Sequence, residues 1–213
     1  MNWRDLLFWR RPAIAELGTL ADFVDEQSAF LVQKGIHDYS RALSGHYAKV
    51  LFSEQEFLDA LERSRWSAYP IGLAMVGEIV DGVLRPHAGA DPALHFGRVS
   101  AFVLSIFDRY PAPGALGEQE WREARAQLAD RLQLIGLHPP KRAIDIPEPY
   151  ARRYWDLMPF HKEARSRDFP TTRSYLQVML CGIHDELTRR ADAPGLARQL
   201  REWIPSPRLR GEG

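Results

Sequence analysis

The sequence predicts an all-α fold, a single-domain bundle of about eight or nine helices. Three observations carry that expectation. Apolar residues recur at three- and four-residue spacing along most of the chain. Helix-starting and helix-stopping residues punctuate it at intervals that suit ordinary helices. Strand-like alternation is almost absent, with residues 143–146 the only short candidate. A chain of 213 residues that is 45% hydrophobic and 26% charged is composed like a folded globule and can build one sizeable core.

Residues 1–12 form a short amphipathic segment that Pro12 ends. Thr19 and Asp22 then give an S/T-x-x-D start, followed by Leu20, Phe23, Val24, Ala29 and Phe30, with Gly35 as the expected terminator. A second helix over 36–51 places Tyr39, Leu43, Tyr47, Val50 and Leu51 on a broad stripe. Ser53 and Glu56 have the spacing of a capping box for a third, which turns Phe57, Leu58 and Leu61 inward. Tyr69-Pro70 should end or kink it, because the residue before proline avoids the α region. Pro70 then suits the first turn of a fourth helix reaching Leu84.

Residues 85–92 read as a loop, and Asp91-Pro92 as the N-cap and first position of a helix carrying Leu94, Val99, Phe102, Val103, Ile106 and Phe107. Residues 117–135 give the most regular amphipathic pattern, with Trp121, Ala124, Leu128, Leu132 and Ile135 on one face. The connection over 136–149 holds Gly136, Pro139, Pro140, Pro147 and Pro149 and should be extended. Beyond it the sequence predicts a short helix near 149–158, a long one over 171–190, and a last one from Pro194 to about Trp203. The main bundle is expected over 13–135, the helices of 136–204 pack on the same domain, and 205–213 form a flexible tail.

Charge excludes little and suggests less. The 28 Lys+Arg balance the 28 Asp+Glu. The first hundred residues carry a net −3 and the remainder a net +3, too small a polarity to argue for nucleic acid. Only four basic residues are lysine, an arginine bias that fits a GC-rich bacterial coding sequence. The single cysteine, Cys181, allows no intrachain disulfide, and this usage fits a reducing cytoplasm. No continuous apolar run approaches the roughly 20 residues of a bilayer span, and the N-terminus lacks a secretory pattern.

Catalytic signatures are missing. There is no His-Glu-x-x-His, Cys-x-x-Cys or Glu-x-x-His pair, no Walker loop, no dinucleotide fingerprint and no Gly-x-Ser-x-Gly elbow. No metal or cofactor is therefore expected, and the balance leans away from an enzyme. The residues that define globins, ferritins, tetratricopeptide arrays and helix-turn-helix regulators are not present either.

Three groups of residues remain as candidates. Glu78 is the one charge in the apolar run 71–80, and His95 lies one turn before Val99 among large apolar residues. Burial would desolvate such a carboxylate, the condition in which it serves as proton donor, base or ligand. With Tyr39 and Tyr47 these two residues could line an apolar pocket between helices. The competing expectation puts Glu78 on an exposed rim beside Asp81. The second group is the arginine- and aromatic-rich stretch 138–175, whose partner-binding candidates are Arg152, Arg153, Trp155, Arg165 and Arg167. The third is Trp3, Phe8 and Trp9 beside Arg4, Arg10 and Arg11, a weak candidate contact with a membrane surface, set against packing on the protein's own body.

The leading expectation is thus a non-enzymatic, cytoplasmic adaptor or assembly factor that binds a protein partner, with a peripheral place at the inner membrane as the variant that Trp3, Phe8 and Trp9 suggest. Its composition is compatible with a homodimer. The alternative is a small-molecule sensor or enzyme built around Glu78 and His95.

Overall fold

The computed structural model describes residues 12–89, 91–160 and 168–204, and of residues 92 and 93 the backbone alone. These residues form helices α1 (Leu17–Ser44), α2 (Ala48–Leu51), α3 (Gln55–Leu84), α4 (Pro92–Phe107), α5 (Gly117–Ile135), α6 (Ala151–Asp156), α7 (Phe169–Arg190) and α8 (Ala193–Glu202). Since α2 is a single turn, seven helices longer than a turn make up the described fold. The all-α class holds. The expected count of eight or nine falls to seven because two predicted breaks do not occur.

The first missing break is at Gly35. It lies inside α1, buried, and the helix continues to Gly45, which takes a positive φ of 51°. A β-carbon on Gly35 would stand 2.3 Å from the Tyr154 hydroxyl and 2.6 Å from Cε1 of Tyr175. Both tyrosines reach the α1 backbone here: Tyr154 donates to the Val32 carbonyl at 3.2 Å and Tyr175 to that of Leu31 at 2.9 Å. The glycine serves close approach rather than termination.

The second is at Pro70, which α3 passes through without ending. Proline removes the amide that would bond the Trp66 carbonyl. Packing outweighs that loss, for every residue from Ala68 to Asp81 is buried. A helix buried on all sides belongs at the centre of a bundle, and α3 touches α1, α4, α5, α7 and α8. Two glycines let neighbours come close: a β-carbon at Gly72 would meet the Ser28 carbonyl of α1 at 2.9 Å, and one at Gly77 would meet Val103 of α4 at 3.0 Å. By length and composition α3 could cross a membrane, but 83% of its most apolar window is covered by the rest of the protein.

The ends of the helices partly follow the expected chemistry. Asp91 caps α4 by accepting from the Leu94 amide at 2.9 Å, and Asp192 caps α8 by accepting from that of Gly195 at 3.2 Å. The capping box at Ser53 does not form, because Ser53 donates backward to the Val50 carbonyl at 2.7 Å and α3 starts after Glu54. α1 begins earlier than expected, with the Glu16 amide donating to the Thr19 hydroxyl at 3.3 Å. The connection after α5 is not extended throughout, and its strand candidate is a 3-10 turn, Ala143–Asp145.

Both chain ends of the described fold are tied together. Ile14 bridges Ala191 in parallel, donating to the Arg190 carbonyl and accepting from the Asp192 amide, each at 2.9 Å. One apolar core runs from Ile14 through α1, α3, α4, α5 and α7 to Leu200. Most of the aromatic content is spent there. Trp66, Tyr69, Phe107, Tyr110 and Trp121 form a single contact cluster, with Phe107 and Trp121 stacked at 4.1 Å.

Candidate functional site

Glu78 and Asp81 sit three residues apart on α3, hence on one face, and both are buried, 3% and 1% exposed. Each has a cation. Lys141 places its Nζ 2.9 Å from Glu78 Oε1, without the directed geometry of a full hydrogen bond. His138 Nε2 is 3.8 Å from the same oxygen, and the Tyr150 hydroxyl is 3.5 Å from Oε2. Arg85, the residue that follows the end of α3, grips Asp81 through both Nε and Nη2 and donates to the His138 carbonyl at 2.7 Å. His95, from α4, brings Nε2 to 3.5 Å from Asp81. Burial, then the charge of Glu78, pushes the Tyr150 hydroxyl well above its ordinary range.

The arrangement fastens the connection after α5 onto the central helix. His138 and Lys141 lie in that connection, and Arg85 bonds its backbone. Glu78 is therefore neither on an exposed rim nor free: its carboxylate is charge-paired, and removal of Lys141 would strand it in the core.

The sequence-predicted pocket does not assemble around these residues. His95 lines a small cavity of about 180 Å³ with Ala88, Asp91, Leu94 and Arg201, and Glu78 is not part of it. Tyr39 donates to Asp168 at 3.1 Å, and Tyr47 is 73% exposed. Among the described residues no three His, Cys, Asp or Glu side chains are grouped to hold a metal ion.

The arginine-rich surface is engaged inward. Trp155 is only 7% exposed, and the Arg152 guanidinium lies 3.8 Å over the Phe169 ring and 5.2 Å from that of Trp155. Arg153 borders a cleft of about 430 Å³ between α3 and α5, which Arg131 and Glu123 also line. Arg165 and Arg167, like Trp3, Phe8 and Trp9, lie outside the described residues.

Two features escaped the sequence. Asp25 accepts from the hydroxyls of both Tyr69 (2.6 Å) and Tyr110 (2.8 Å), three residues distant in sequence with no local signature. The second is a groove of about 1000 Å³ between α1 and α7. Phe23, Ala29 and Phe30 of α1 line one wall, Val178, Met179 and Ile183 of α7 the other. Phe30 is 49% exposed and Val178 71% exposed. Asp22, Glu26 and Glu186 stand along it, and Arg190 closes the end at Pro12 by donating to the Pro12 carbonyl at 3.0 Å. A signal for the groove existed in the sequence, since Phe30 and Val178 depart from the buried stripes of their helices, but it needed the pairing of α1 with α7 to be read.

No family model, curated protein or solved structure matches this chain.

Proposed function

We propose that this chain is a non-enzymatic helical interaction protein and that the α1/α7 groove is its docking face. The observation that carries the reading is the exposure of Phe30 and Val178 on either side of a groove of about 1000 Å³. Large apolar side chains facing each other across two helices suit an apolar segment laid between them, the helix-in-groove mode of recognition. Charge adds little to this, because Asp22 and Glu186 along the groove are already paired with Arg109 and Arg190. The candidate surface around Arg152 and Trp155 fits this role less well, because its aromatic rings are already covered by its own arginine.

A photoreactive amino acid at position 178 of the full chain, expressed in cells, tests the reading. It should form an adduct with a distinct polypeptide, at least tenfold weaker when Phe30→Asp is added and unchanged by Arg152→Ala. No such adduct, or one indifferent to Phe30→Asp, would overturn it.

A further inference from the structure

We infer that the cleft bordered by α3, α5 and α6 is a binding site for a small organic monocarboxylate, whose acid group Arg131 and Arg153 hold and whose apolar body lies against α3. The site is separate from the docking face, since no residue lines both the cleft and the α1/α7 groove.

The size suits a small molecule. The cleft holds about 430 Å³, and sites for small ligands run from about 300 to 1,000 Å³. One side is apolar: Pro70 and Ile71 of α3, Leu128 of α5, and Leu157, the residue after α6. The other side is a polar row on α5. Gln119, Glu123, Gln127 and Arg131 follow one another at four-residue spacing, so they share a face of the helix. An apolar wall facing a few polar groups is the usual makeup of a ligand site.

The charges give the class of ligand. The carboxylates that line the cleft are engaged or remote. Glu120 is paired with Arg63, and Glu123 accepts from the Gln119 amide group at 2.7 Å. Glu123 also lies two turns, about 12 Å, along α5 from Arg131. The Arg131 guanidinium is 5.4 Å from the centre of the buried Tyr150 ring. Tyr150 precedes α6, so this contact brings Arg131 to the start of the helix that carries Arg153. Glu78, which the Tyr150 hydroxyl faces, is answered by Lys141. Among the described residues no carboxylate pairs with Arg131 or Arg153. With Arg63 counted, three cations meet Glu120 and Glu123, which leaves one positive charge over. A guanidinium fork matches a carboxylate, and a monoanion balances the surplus, whereas a phosphate monoester brings a charge of about −1.5 to −2.

The test titrates the full chain with anilinonaphthalenesulfonate, a fluorescent monoanion with an aromatic body. One probe should bind per chain, and octanoate should displace it where octanol does not. Arg153→Gln and Arg131→Gln should each weaken the probe and octanoate by about tenfold or more, the loss expected for one hydrogen bond to a charged group. Arg153 is exposed, so its variant should keep the fold even where Arg131→Gln, through Tyr150, does not. Neutral phenylnaphthylamine should bind Arg153→Gln within about twofold of the parent, which a general loosening of the cleft would not allow. Phe30→Asp, in the groove, should leave all of these values unchanged. Binding indifferent to Arg153→Gln, loss of the probe in Phe30→Asp, or octanol as effective as octanoate would overturn the site. Octyl phosphate binding more tightly than octanoate would overturn the carboxylate assignment.

Discussion

Gly35 illustrates how a single missing methyl group shapes the bundle. In an isolated helix Gly→Ala gains about 1 kcal/mol. At Gly35 the new β-carbon would press on two tyrosines whose hydroxyls are bonded to α1 carbonyls, with Tyr154 fully buried. Overpacking of this kind costs about 1–3 kcal/mol. Gly35→Ala is therefore expected to lower stability by up to about 2 kcal/mol in chemical denaturation. Gly97→Ala, mid-helix in α4 with nothing within 4 Å of the added carbon, should raise it by about 0.5–1 kcal/mol. The same measurement on both separates backbone propensity from packing. A stabilised Gly35→Ala would mean that α6 and α7 yield easily, contrary to the burial of Tyr154. From sequence Gly35 reads as a stop, because a glycine that ends a helix and one that admits a neighbour look alike until the neighbour is known.

At the scale of elements, the amphipathic helices were the most legible. α5 begins and ends where its apolar spacing predicts, and the Asp91 cap of α4 is a local signal that the fold leaves in place. Asp91→Ala should accordingly cost about 1 kcal/mol. The central helix was misread at Pro70 for a tertiary reason: α3 gains from burial on every side what it loses in one backbone bond. Its charged pair follows from the same position. Removing Lys141 leaves Glu78 in the core with only His138, at 3.8 Å, to answer its charge. Lys141→Ala should cost about 3 kcal/mol, the low end for a broken buried pair because the lysine is 30% exposed. Glu78→Leu with Lys141→Met should come back to within about 1 kcal/mol of the parent. A double-mutant cycle measures this directly, and a double variant as unstable as Lys141→Ala would show that the carboxylate does more than pin the connection after α5. Sequence placed Glu78 among apolar residues but could not supply its partner, since Lys141 lies 63 positions away in a segment without periodicity.

For the whole molecule, the tyrosines set a boundary in alkali. Of the 7 tyrosines, five (Tyr69, Tyr110, Tyr150, Tyr154 and Tyr175) have hydroxyls pushed up from the ordinary value near 10, in every case chiefly by burial. Tyr69 and Tyr110 are raised further by hydrogen bonds to Asp25, and Tyr110 reaches about 12. The unfolded chain gives up these protons near pH 10 while the folded one keeps them. Between pH 10 and 12 the native state then binds more protons than the unfolded state, so stability falls as pH rises. Their contribution is complete below pH 10 and is drained across that window. The melting temperature should hold steady up to about pH 9.5 and drop steeply above pH 10. Tyrosinate absorbance from these five should appear together with the loss of helical signal rather than ahead of it. Tyr69→Phe removes one of the five groups and should make the decline shallower. If most of the tyrosinate signal instead emerged with the fold intact, the five hydroxyls would be accessible, and the aromatic core that unites α1, α3, α6 and α7 would be looser than its hydrogen bonds to Asp25, Leu31 and Val32 imply.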